Sequence, residues 1–177
     1  MSNFNNCVNF VLENEGGFTV DVGGPTNFGI TAKYLMQNAL GKYDLNKDGY
    51  IDQSEMRRFS KKDAVQVYKG LFMLHKYHRI NSDDLAMRVF DMCVNAGHSV
   101  ANKMLQDCYN GLTNDNKLAV DGVVGKDTLA KINTFANTSK LINAYKNARA
   151  LFYLHLAERD SKKYGKYLQG WLNRANK

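Results

Sequence analysis

Residues 13–31 read ENEGGFTVDVGGPTNFGIT, two glutamates followed by a glycine-rich loop that carries an aspartate. Glu13 and Glu15 fall at the predicted C-terminal end of a helix, where the backbone macrodipole is already negative. Helical phase separates the two. Phe4, Val8, Val11 and Glu15 are spaced 4, 3 and 4, so Glu15 continues an apolar stripe, whereas Glu13 aligns with Asn6 and Asn9 on the polar face. At Glu15, desolvation and the dipole both disfavour the charged form, and a carboxyl that stays protonated is what a general acid requires. A buried glutamate neutralised by a neighbouring arginine would fit the same placement. Asp21 follows in the glycine-rich loop, where it can remain solvated and ionised. A protonated carboxyl near an ionised one is the division of labour in glycoside hydrolysis, although a simple turn aspartate also accounts for Asp21. Thr26 and Thr31 add hydroxyls able to hold a water or a sugar.

A second constellation occupies residues 44–55, DLNKDGYIDQSE. Asp44, Asn46 and Asp48 alternate, Gly49 takes the sixth place, Tyr50 offers its backbone carbonyl, and Asp52 and Glu55 take the ninth and twelfth. This is the pattern of an EF-hand loop, whose hard oxygen donors suit Ca²⁺. The sequence holds one such loop, whereas a sensor usually exposes an apolar groove between paired hands. A structural ion that clamps the local fold is therefore expected, with regulation as the alternative. His75 and His78, at i and i+3, lack an evident third ligand and read as surface or groove residues. Cys7, Cys93 and Cys108 lack zinc-type spacing and read as small buried thiols.

The elements that must position these residues are mostly helical. The first stripe, which includes Leu12, ends at Gly16-Gly17. Further helices are predicted over 31–42, 54–59, from Ser60 with Asp63 completing a capping-box variant, over 83–95 with a break at Gly97, from a Ser99 cap, and from Asp127 or Thr128. One last long helix is predicted from about Ser139 to Lys163. Strand signals are confined to short pieces around 18–30 and near 118–124. The expected fold class is mainly α with a small β element.

The chain has 177 residues, 44% of them hydrophobic, with a net charge of +7 and a single proline. That charge favours an anionic partner such as nucleic acid, a membrane surface or a bacterial envelope polymer. No helix-turn-helix, zinc-finger or RNA-binding signature is present, which argues against nucleic acid. The N-terminus has no secretory-signal pattern and no window approaches a membrane span, so a soluble cytosolic chain without stable membrane insertion is expected.

The blocks EGGF, DVGGPTNFGIT, AVQVYKGLF, VFDMCVNAG, ANKMLQ, DGVVGKDTL and GWLNR together resemble glycoside hydrolase family 108, lysozyme-like N-acetylmuramidases common as phage endolysins. The resemblance runs from about residue 4 to 174. It implies an α+β lysozyme-like fold, with a catalytic region over 1–95 and a C-terminal peptidoglycan-binding-like helical region over 96–177 packed into the same globule. It also implies peptidoglycan as the partner of a monomer and, without a signal peptide, release from the host cytoplasm by a separate permeabilising protein. By position, Glu15 matches the family's proton donor, Asp21 the aspartate before its Gly-Gly, and Thr26 the threonine before NFGIT. The loop between Glu15 and Asp21 is shorter than the family's usual form, so Asp21 aligns with either of two family aspartates. The calcium-type loop looks like an insertion that most members lack. A lytic transglycosylase and a non-catalytic, calcium-dependent glycan binder are the rival readings.

Overall fold

The computed structural model describes residues 3–21, 23–114 and 117–177, with the side chains of Asp21 and Leu40 excepted. The chain forms two compact units. One is Val8–Leu71; the other joins the described residues through Cys7 to Phe72–Lys177. Residues 1, 2, 22, 115 and 116 contribute nothing to the description below.

The first unit contains most of α1 (Phe4–Asn14) and a three-stranded antiparallel meander of β1 (Thr19–Asp21), β2 (Gly24–Asn27) and β3 (Ile30–Thr31). It continues through α2 (Ala32–Tyr43), α3 (Gln53–Arg58) and the start of α4 (Lys61–Leu74). Helix α1 follows the predicted stripe: Val8 and Val11 are buried while Glu13 is exposed. The register pairs Thr19 with Thr26 and Thr26 with Thr31, while Asn27 pairs with Ile30. Because faces alternate along a strand, the threonines form one row and Asn27 and Ile30 lie on the opposite, buried face. Helix α2 is kinked at Ala39, whose backbone is non-helical. The Ser60–Asp63 box at the start of α4 is present: Asp63 accepts from the Ser60 N–H and hydroxyl, and Ser60 Oγ accepts from the Asp63 N–H.

The second unit is helical: α5 (Asp83–Ala96), α6 (His98–Gly111), α7 (Lys126–Thr134), α8 (Thr138–Arg159) and α9 (Ser161–Asn176), with a 3-10 turn at Tyr77–Arg79. Its aromatic core places Phe72 edge-on to both Phe90 and Tyr77, with centroids 5.1 and 6.1 Å away. Burial pushes the thiols up, Cys7 and Cys108 to about 12 and Cys93 to about 11, so all three behave as apolar fillers.

Three expectations are corrected here. The long helix from Ser139 ends at Arg159 rather than Lys163, because Asp160 leaves helical geometry and accepts the Lys163 N–H as the cap of α9. Gly97, not Ser99, stands at the start of α6, with a positive φ of 88° and no side-chain cap. Residues 118–124 form no strand. Side-chain amides take the place of a ladder partner: Asn110 brackets Leu118, Asn102 donates to the Gly122 carbonyl, and Gln106 binds Asp121, Gly122 and Val123. Helix α7 also begins slightly earlier than expected, at Lys126.

Candidate active site

Glu15 is the first residue beyond α1, and its N–H still donates to the Val11 carbonyl at 3.1 Å. It is half-buried, unlike the exposed Glu13. Its seat is the turn joining β2 to β3. Phe28 and Gly29 both have positive φ, 49° and 75°, as in a two-residue type I′ hairpin turn. A Cβ on Gly29 would lie 2.4, 2.6 and 2.8 Å from Oε2, Cδ and Cγ of Glu15. The glycine therefore does two things: it permits the turn, and it lets the backbone approach the glutamate carboxyl closely. Gly29 was not singled out in the sequence, although its place in NFG after a strand is a usable signal.

The turn is fixed from two other elements. Tyr68 of α4 donates its hydroxyl proton to the Phe28 carbonyl at 2.7 Å. Asn27, 5% exposed, donates through Nδ2 to the carbonyls of Met56 and Phe59 at 2.9 and 3.1 Å. Arg57 stacks over Phe18, 4.0 Å from its centroid.

Thr26 is half-buried at the centre of the Thr19–Thr26–Thr31 row. Thr31 has a structural task, since its Oγ1 accepts the Tyr34 N–H at the start of α2. Asp21 closes β1 opposite Gly24; its side chain lies outside the described residues.

The 44–55 segment is folded as a tight loop. Asp44 accepts the N–H groups of Asp48 and Gly49, Asn46 Oδ1 accepts that of Asp48, and Asp48 Oδ1 accepts that of Tyr50. Gly49 has φ 89°, the conformation its sixth place demands, and Lys47 has φ 61°. Asp52 caps α3 by accepting from Ser54 and Glu55. The Glu55 carboxylate reaches back to the N–H of Asp52 and across to those of Leu45 and Asn46. Those N–H donors hold the Asp52 carboxyl below the usual range, Glu55's being the largest cause. Donor chemistry and backbone shape thus fit a hard cation, while Glu55 is turned to backbone. Among the described residues no group of three or more His, Cys, Asp or Glu is gathered as a metal site.

His75 and His78 do not converge on a ligand set. His75 stacks on His98, with centroids 4.3 Å apart and planes 14° from parallel. Both line a cavity of about 310 Å³ together with Lys76, Ser99 and Asp121.

Residues 8–97, just over half the chain, match the family described as Glycosyl hydrolase 108. The chain belongs to this glycosyl hydrolase 108 family. Residues 100–176 match a family described as Predicted Peptidoglycan domain. Together these make the protein a lysozyme-like glycoside hydrolase that acts on peptidoglycan. Among solved structures, that of Brucella abortus SagA is similar at a TM-score of 0.72 and 23% identity, covering 98% of this chain and 89% of that one; at this identity the likeness speaks to the fold. No curated protein matches. Among the described residues, no helix is long and apolar enough to cross a membrane.

Proposed function

We propose that this glycoside hydrolase cleaves the β-1,4 bond between N-acetylmuramic acid and N-acetylglucosamine, and that Glu15 is the acid that protonates the leaving oxygen. The observation that carries the reading is the seat of Glu15. A carboxyl held against bare glycine backbone at the end of a helix is suited to the part of a positioned proton donor. Asp21 is assigned the second role, stabilising the oxocarbenium-like transition state or activating water, with Thr26 holding that water. The working setting is an endolysin, monomeric, made in a host cytoplasm, admitted to the wall by a permeabilising partner and drawn to an anionic envelope by its +7 charge. Glu15→Gln should reduce the release of reducing ends from purified peptidoglycan by at least about 10³-fold with an unchanged melting curve; retained activity removes Glu15 from the role. Mass spectrometry of the products decides the reaction, since hydrolysis leaves reducing N-acetylmuramic acid whereas a lytic transglycosylase leaves its anhydro form. Binding without either product would mark a glycan-binding module.

The same reading assigns the 44–55 loop to one structural Ca²⁺. Asp44, Asn46, Asp48, Asp52 and Glu55 would hold it through side-chain oxygens and Tyr50 through its carbonyl. The bound ion would supply charge neutralisation to a loop whose acidic side chains otherwise repel, and the protein's own chemistry at Glu15 does not pass through it. Support comes from the preformed loop and from the positive φ at Gly49. Chelation should lower the melting temperature by several degrees, the size of effect set by ligand linkage, and Asp44→Ala should abolish the difference. Identical melts with and without calcium would refute the assignment.

A further inference from the structure

We propose that Asn27 is a positioning residue for the catalytic turn, and that the 44–59 segment is thereby a brace for Glu15. The proposal rests on Glu15 being the acid.

Asn27 lies on the buried face of β2, one residue before the two-residue turn that seats Glu15. A buried amide donor needs a partner, because burial strips its water and leaves an unmet N–H uncompensated. Asn27 meets this need in an unusual place. Its Nδ2 donates to Met56, in the last turn of α3, and to Phe59, the residue that ends that helix. The final carbonyls of a helix have no partner within it, so Asn27 satisfies acceptors that would otherwise be orphaned in a buried setting. Both amide protons are thus used on α3.

At its other end, α3 is tied to the loop. Asp52 and Glu55 form a reciprocal capping box, and Glu55 also binds the N–H groups of Leu45 and Asn46, 2.6 and 3.3 Å away. A continuous series of hydrogen bonds therefore runs from Leu45 and Asn46 through Glu55 and α3 to Asn27. From Asn27 the chain itself continues into Phe28 and Gly29. Tyr68 holds the Phe28 carbonyl independently. The turn is pinned at two adjacent residues by two different helices, and the approach it must maintain is close, because even one methyl on Gly29 would overlap the Glu15 carboxyl. A shift of about 1 Å in such a group is enough to cost about 10²-fold in rate.

The test uses the full chain and soluble peptidoglycan glycan fragments, with kcat and KM normalised to folded protein. Asn27→Ala should keep a cooperative melt, lose about 10²-fold in kcat and change KM by less than about twofold; the Phe28 and Gly29 amides should exchange hydrogen faster than in the parent. A kcat within about twofold of the parent, or a loss confined to KM, overturns the proposal. Asn27→Asp covers the case in which the alanine variant does not fold. Its ionised carboxylate faces two carbonyl oxygens with nothing to donate, but its protonated form regains an O–H donor. Its kcat relative to the parent should therefore recover as pH is lowered from about 7 toward the carboxyl range near 4. A ratio that stays constant with pH counts against the role. If Glu15→Gln remains active, the parent reading has failed; if Glu15→Gln is inactive while Asn27→Ala retains kcat, the positioning role alone has failed.

Discussion

The two units hold their key carboxylates by opposite means. In Val8–Leu71, Glu15 sits against a backbone turn, and the residues that make its seat are ones with little or no side chain or with neutral amides and hydroxyls: Gly29, Asn27 and Tyr68. In the helical unit, Asp91 is fully buried and gripped by cations. Arg149 Nη2 donates to its Oδ2, and Arg174 donates through Nε and Nη2, the latter at 2.7 Å. An ionic grip of that kind fixes α5, α8 and α9 together and leaves its carboxylate no room to react. At Glu15 the close neighbour is instead the backbone of a turn, held in place by neutral groups. On the proposed reading, the contrast sets the acid in the first unit against an architectural carboxylate in the second.

The contrast can be broken from either side. The largest stability effect is expected from Asp91→Ala. Arg149 is fully buried, its Nε and Nη1 find no hydrogen-bond partner among the described residues, and Asp91 is its ion-pair partner. Stripping a buried charge of its partner costs about 3–5 kcal/mol, so urea denaturation should reveal a loss of that size. The activity per folded molecule should stay near the parent value. A loss below about 1 kcal/mol, the range of exposed pairs, would show that the grip is not what holds these helices.

Gly29→Ala should do the reverse. Left-handed backbone costs an alanine on the order of 1–2 kcal/mol, a smaller stability loss than that of Asp91→Ala. The new methyl must displace the Glu15 carboxyl, with which it would overlap at 2.4 Å, and the rate should fall by about 10²-fold or more. Near-normal turnover in Gly29→Ala would mean that Glu15 works from a different position.

How much of this was legible in the sequence follows the same division. Periodicity separates Glu15 from Glu13, and the EF-hand spacing marks 44–55, because both are local patterns of 3–12 residues. The seat of Glu15 was less visible. Gly29 and Asn27 act through contacts 14 to 32 residues away along the chain, which no local period encodes, though a glycine two residues past a strand was a hint. In the helical unit, Asp91 sits inside the apolar run VFDMCV, and a lone acid there is itself the mark of a buried pair. Its partners, Arg149 and Arg174, lie 58 and 83 residues on and could not be named. The break at Asp160 escaped because nothing but an aspartate cap separates α8 from α9, with no glycine or proline to announce it.

The smallest predicted effect concerns pH, and it again separates the units. Burial, aided by the stacked His98, holds the His75 imidazole below its ordinary value. The unfolded chain then takes up a proton near pH 6.5 that the folded chain refuses, so stability is present above that pH and is lost as pH falls toward the folded value. In the first unit the shifted groups that titrate in the acid range are carboxylates. Asp63 is held below the usual range chiefly by the Ser60 hydroxyl, and Asp52 chiefly by the Glu55 N–H. Their contribution is present above about pH 4, where the unfolded carboxyls titrate, and is lost only as pH falls through their lower folded values. Acidification should therefore reach α6 and the end of α4 before it reaches the helix caps at Asp52 and Ser60. Residue-resolved hydrogen exchange between pH 7.5 and 4 measures this directly. The amides around His75 and His98 should lose protection first, from about pH 6.5 downward, and His75→Phe should flatten that early loss while leaving the later one at the α3 and α4 caps in place. Simultaneous loss in both units, or an early loss that survives His75→Phe, would show that the stacked imidazoles are not its source.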